Sequence, residues 1–148
     1  MTTTSEEKVL NYFDGNHNCA QSVFQTIVEE RKVFIEEVPY ISAAFGGGIA
    51  GQGKTCGAVT GALMALGLLL KEKEKDITKH KELTNKKAKE FLEQFKEKFE
   101  TTNCSDIIGF DPNDEASKKK AKEAGRFEEL CPKLIQNGVR IVLELIEE

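Results

Sequence analysis

The chain has no tryptophan, two tyrosines and three prolines, and its commonest charged residues are Glu and Lys. So few helix breakers, with Glu, Lys and Ala plentiful, point to a helical protein. No segment alternates apolar and polar residues as a half-buried strand does, and no internal repeat is present. Positive charge is not in excess. A net charge of −4 and a pI near 5.4 give no electrostatic case for nucleic acid or for an anionic membrane surface. The first residues, MTTTSEEKVLNYF, lack both a basic n-region and an apolar h-region, so no secretory signal is expected. The uncharged run Thr55–Leu70 has 16 residues, short of the 18 or more that indicate a membrane span. A cytoplasmic protein without stable membrane insertion is therefore expected, in a compartment that keeps thiols reduced. The four cysteines contain no C-x-x-C pair, which removes zinc-ribbon and thioredoxin spacings.

What the sequence does contain is a succession of helix signals. Thr4-x-x-Glu7 reads as a capping box for a first helix reaching about Phe13. Asp14–Asn18 is a break, and Cys19 opens a second helix with Ala20, Val23, Phe24, Ile27 and Val28 on one buried face. Pro39 starts a third helix through Phe45. A fourth, from near Cys56 to Leu70, is apolar almost all round and rich in Gly and Ala, which makes it central. A fifth, from about Lys75 to Glu100, packs on it through Phe91, Phe95 and Phe99. Cys104 opens a short apolar turn. Asp111-Pro112 reads as an N-cap with Pro at N1 for a charged helix to about Ala124, where Lys118-Lys119-Lys120 forms a solvated face. Cys131-Pro132 opens the last helix. The length of 148 residues suits one domain, residues 1–148. The expected fold is all-α, a single-domain bundle of about six to seven helices around the Gly/Ala-rich one.

Two motifs carry chemistry. Gly48–Thr55 satisfies the phosphate-loop pattern G-x-x-x-x-G-K-[ST], in which backbone N–H groups and Lys54 would hold phosphates. That motif needs a preceding buried strand, and none is expected, so nucleotide binding is the weaker reading. The second is the set Cys19, Cys56, Cys104 and Cys131. Each follows a polar or glycine-containing break or opens a helix, where free N–H groups and the helix dipole favour thiolate, so thiol pKa values should fall. Against this stands the plain alternative that a free cysteine is a small buried hydrophobe. His17, two residues before Cys19, is a candidate fifth polar group or simply a loop residue. His80 reads as structural.

The chain resembles the C_GCAxxG_C_C family over nearly its whole length. The carrying residues are Asn18-Cys19-Ala20-Gln21-Ser22-Val23, Phe45-Gly46-Gly47-Gly48-Ile49 and Cys56-Gly57-Ala58-Val59-Thr60-Gly61. After them come Cys104 with Ile107-Ile108-Gly109-Phe110, and Cys131. The family name spells its core G-C-A where this chain has Cys56-Gly57-Ala58; we read these as one element. The resemblance implies four characteristic cysteines, redox activity and linkage to transporter genes. Related domains accompany haem electron-transfer proteins and are associated with an iron–sulfur centre. Lys54 lies outside the pattern.

The leading expectation is a redox protein whose four cysteines ligate one [2Fe–2S] or [4Fe–4S] cluster and which transfers single electrons with an unidentified partner. Gly57 and Gly61 would give the backbone room beside the sulfurs. The alternatives are a metal-free thiol–disulfide protein using two of the four cysteines, and a structural zinc tetrathiolate. The site is expected within one chain or, alternatively, at a homodimer interface.

Overall fold

The computed structural model describes residues 4–147. Among them are eight α-helices and no strand: α1 Ser5–Asp14, α2 Cys19–Glu30, α3 Val38–Ile41, α4 Gly57–Leu70, α5 Ile77–Phe99, α6 Cys104–Ile108, α7 Glu115–Glu123 and α8 Arg126–Glu147. A single 3₁₀ turn, Ala43–Phe45, follows α3. The fold is all-α, as the periodicity required. No helix among the described residues is long and apolar enough to cross a membrane.

The centre is α4, packed against α2, α5 and α8. Its Ala58, Val59, Ala62, Ala65 and Leu66 are buried. Glycine sets how close the neighbours come. A Cβ on Gly61 would stand 2.5 Å from the Ala20 carbonyl oxygen of α2. A Cβ on Gly138 of α8 would stand 2.9 Å from the Ala58 carbonyl oxygen. Larger residues there would force both helices outward, because interaxial distance follows the side chains at the contact. On α5, Phe91 and Phe95 are fully buried with rings 5.9 Å apart, while the Lys and Glu face points to solvent.

Several boundaries differ from the expectation, each for a local reason. The short apolar turn at Cys104 is an eighth helix, capped by Asn103, whose side chain accepts the Asp106 N–H. The third helix stops at Ile41, where Ser42 returns its hydroxyl to the Val38 carbonyl and the chain tightens to 3₁₀. Asp111 does not cap α7. Its carboxylate accepts the Asn113 N–H in a local turn, and Asp114 caps instead through the Ala116 N–H. At Thr4 only the forward half of the capping box forms, from Glu7 N–H to the Thr4 hydroxyl.

The largest correction concerns α8. It begins at Arg126, immediately after Gly125 at φ +74° ends α7, and it carries Pro132 inside. Cys131 is therefore in the second turn of a 22-residue helix, not at its start. Pro is favoured at N1, which made Pro132 look like a beginning. The Gly125 break places the actual start a turn and a half earlier.

Candidate sulfur site

Three of the four cysteines do stand at helix starts. Cys19 is the first residue of α2, fixed by a full capping box: the Asn18 side chain accepts the Gln21 N–H at 2.9 Å, and the Gln21 side chain accepts the Asn18 N–H at 2.8 Å. Cys56 is the N-cap of α4, and Cys104 is the first residue of α6. Cys131 comes from the body of α8.

Two segments far apart in sequence meet at the site. Cys104 N–H donates to the Lys54 carbonyl at 2.6 Å, Ser105 N–H to the Gly53 carbonyl at 3.1 Å, and Cys56 N–H to the Thr102 carbonyl at 2.8 Å. With the antiparallel bridge between Thr55 and Asn103, these bonds make a miniature ladder that sets Cys56 and Cys104 diagonally on one face. Sequence reasoning missed this pairing. The local signals are the Asn103 cap on one side and the glycine break before Cys56 on the other, but neither reports a partner 48 residues away. Lys54 thus serves the site through its backbone carbonyl, while its side chain faces solvent.

The glycine loop is a covering, not a phosphate cradle. Gly47, Gly48, Ile49, Ala50 and Gly51 all have φ between +53° and +73°. Four of its N–H groups turn back on the loop: Gly51 to Gly46, Gln52 to Ile49, Gly53 to Gly47 and Lys54 to Gly48. Ala50 N–H goes to Ala44 just before it. Those amides are not free for an anion, and no strand precedes the loop among the described residues. Left-handed φ at Ile49 and Ala50 costs of order 1 kcal/mol or more each, so the surrounding contacts hold the loop in place. One such contact is at Gly48, where an added Cβ would meet Cys104 Cβ at 2.7 Å. Gly57 is the matching clearance on the other side, because a Cβ there would overlap Cys19 Sγ. Gly61 lies outside the cavity and acts one helix turn away, by letting α4 approach α2.

All four cysteines line one cavity of about 150 Å³, together with Gly57, Gly47 and an apolar wall that includes Phe13, Phe127 and Ile135. All four are free thiols. Cavities of roughly this volume hold a benzene-sized guest, so a group of several atoms fits better than one ion. Among the described residues, no three His, Cys, Asp or Glu side chains are grouped to hold a single metal ion. The donors lining the space are the four cysteine sulfurs. His17 is not among them: its ring packs on Tyr12 at 4.7 Å and its Nδ1 pairs with Asn16. His80 bonds the Gly67 carbonyl near the C-terminal end of α4, away from Cys56 at its N-cap.

The thiol pKa values move opposite to the expectation. Burial raises Cys104 to about 11 and Cys131 to about 12, and raises Cys19 and Cys56 as well. Repulsion among would-be thiolates adds to this across every pair of the four. The helix-start effect is real but smaller. The N–H groups of Gly47, Ala20, Gly57 and Cys19 itself pull the Cys19 value back, and Ala58 N–H does so at Cys56. A helix terminus contributes roughly 0.3–1 kcal/mol, whereas full burial shifts a group by several pH units, so desolvation wins. The metal-free site is four neutral thiols at neutral pH. A bound metal centre would reverse this, because a coordinating thiol is deprotonated by the cation itself.

Fold and cavity together define an all-α protein with four cysteines around one apolar cavity. Over residues 17–145 the chain matches the family described as "Putative redox-active protein (C_GCAxxG_C_C)", and it belongs to that family. Comparison with curated proteins and with solved structures returned no match.

Proposed function

We propose that Cys19, Cys56, Cys104 and Cys131 hold one iron–sulfur cluster, and that the protein passes single electrons to a redox partner. The observation that carries this reading is the common cavity: four sulfurs from four helices face one space larger than an ion, with no carboxylate among its lining residues. Four cysteines are the ordinary ligand set of [2Fe–2S] and [4Fe–4S] clusters, which supply one-electron chemistry when bound. The chain's own contribution is to exclude water with Phe13, Phe127 and Ile135, and to aim N–H groups at Cys19 and Cys56. Such hydrogen bonds to ligand sulfur raise the reduction potential. Gly57 keeps the backbone clear of Cys19 Sγ. We read residues 1–148 as one domain serving this site, since the cysteines are drawn from the whole length of the chain.

The test is anaerobic purification followed by a visible spectrum and assay of iron, sulfide and zinc. The expected result is a coloured protein with iron and acid-labile sulfide in comparable amounts, lost in Cys56→Ser. A colourless, metal-free protein with four titratable thiols would overturn the cluster. A second reading, thiol–disulfide cycling, is favoured by the ladder that sets Cys56 and Cys104 on one face. Burial weakens it, because the thiolate is the nucleophile and these thiols stay protonated.

A further inference from the structure

The lysine run of α7 is not uniform. Lys119 and Lys120 are exposed, but Lys118 turns inward. Its Nζ donates to the Gly51 carbonyl at 2.7 Å and stands 5.9 Å from the centre of the Phe110 ring. Phe110 in turn lies against Gly53, where a Cβ would meet the ring at 3.2 Å. Gly51 and Gly53 belong to the loop whose Gly47 N–H acts on Cys19 Sγ and whose Gly48 rests on Cys104. One ammonium therefore joins α7 to the loop covering two of the four sulfurs. Lys118 makes no ion pair among the described residues. Its charge also acts on Cys104, in the direction that favours thiolate.

We propose that Lys118 is a positioning residue of the sulfur site: it clasps the glycine loop over Cys19 and Cys104, and its ammonium offsets negative charge on the Cys104 side of the site when the cysteines carry a bound group. The clasp stands on the geometry alone. The charge role rests on the cluster reading above. An ammonium pointed at a backbone carbonyl and an aromatic face keeps its charge available to a third neighbour, and its half-buried position screens that interaction less than open water would.

The test compares Lys118→Met, Lys118→Arg and Lys119→Met in two measurements. The first is amide hydrogen exchange across residues 46–54 in the reduced, metal-free protein. Lys118→Met should speed exchange at Gly51, Gly53 and Lys54 by about tenfold or more. Lys118→Arg and Lys119→Met should stay close to the unchanged protein. Equal exchange in all forms, or equal acceleration in Lys119→Met, overturns the clasp. The second is the midpoint potential of the iron-loaded protein. Lys118→Met should make one-electron reduction about tenfold less favourable, a fall of about 59 mV, with Lys118→Arg restoring it. An unchanged potential in Lys118→Met overturns the charge role. A protein without iron and sulfide overturns the cluster reading and the charge role with it, while the exchange measurement still decides the clasp.

Discussion

The sulfur cavity lies between two hydrophobic clusters of very different size. The main one joins α1, α2, α4, α5 and α8 and holds the fully buried Phe91, Phe95, Ile27, Leu66 and Ile135; Cys56 is part of it and Cys19 packs on it. The smaller one has only Cys104, Ile108, Phe110 and Ala121 at its centre, with Phe127 and Cys131 packed on it. The sulfurs are divided two and two. Leu130 touches both clusters, and the ladder between the glycine loop and α6 ties them by backbone hydrogen bonds. A cluster with so few buried side chains has little free energy of its own, so its integrity depends on its attachments. A group bound by all four cysteines would cross-link the small cluster to the large one.

The sharpest way to break this comparison is to truncate one phenylalanine in each cluster. Phe91→Ala should cost about 3–5 kcal/mol of global stability, read from urea unfolding. Phe110→Ala should cost much less globally, because α6 and α7 can open locally, and should show instead as faster amide exchange over residues 104–123. Equal losses of global stability in the two variants would mean that the two clusters unfold as one.

Titration offers the next test, on the reduced, metal-free protein. Each thiol pKa is raised on folding, so the folded state holds its proton more tightly. The resulting stability is fully present below the ordinary thiol value near 9 and is lost as pH rises through about 11 for Cys104 and about 12 for Cys131. Each such thiol steepens the fall by at most about 1.4 kcal/mol per pH unit. Cys104→Ser should flatten the curve between pH 9 and 11 relative to the unchanged protein. A stability that rises over that range would contradict buried neutral thiols.

Helix contact on the main side can be probed with two glycines of α4. Gly61→Ala drives a Cβ into the Ala20 carbonyl and should cost about 1–3 kcal/mol. At Gly67 the nearest atom to a new Cβ is Thr84 Cγ2, at an ordinary 3.7 Å. Gly67→Ala should therefore stabilise by up to about 1 kcal/mol through helix propensity. The same sign for both in thermal unfolding would remove close α2–α4 approach as the role of Gly61. A small effect is expected at the α2 cap as well. Asn18→Ala should cost about 1 kcal/mol, and should disturb Cys19 more than Cys104 in thiol-reagent kinetics.

How much of this was legible beforehand varies by element. The helical class, the central place of α4 and the buried stripe of α2 follow from spacing alone, because a 3.6-residue period and a nearly all-apolar helix have few other solutions. Cys19, Cys56 and Cys104 were readable as helix-start residues, since polar caps and glycine breaks act within a few positions. Cys131 is harder to place because Pro132 resembles a helix start, and nothing local to it reports that α8 has already begun at Arg126, just after Gly125. Lys118 was indistinguishable from Lys119 and Lys120, because which lysine faces inward depends on where α7 lies against the glycine loop.

By itself the sequence determined an all-α chain, a Gly/Ala-rich central helix and four cysteines of the C_GCAxxG_C_C pattern. Tertiary structure decided that the four sulfurs share one cavity, that the apparent phosphate loop is closed on itself, and that the thiols are neutral in the metal-free protein. The physical reason is common to all three. Periodicity and capping are local, whereas burial, desolvation and pairing between residues 53–56 and 102–105 depend on parts of the chain that only folding brings together.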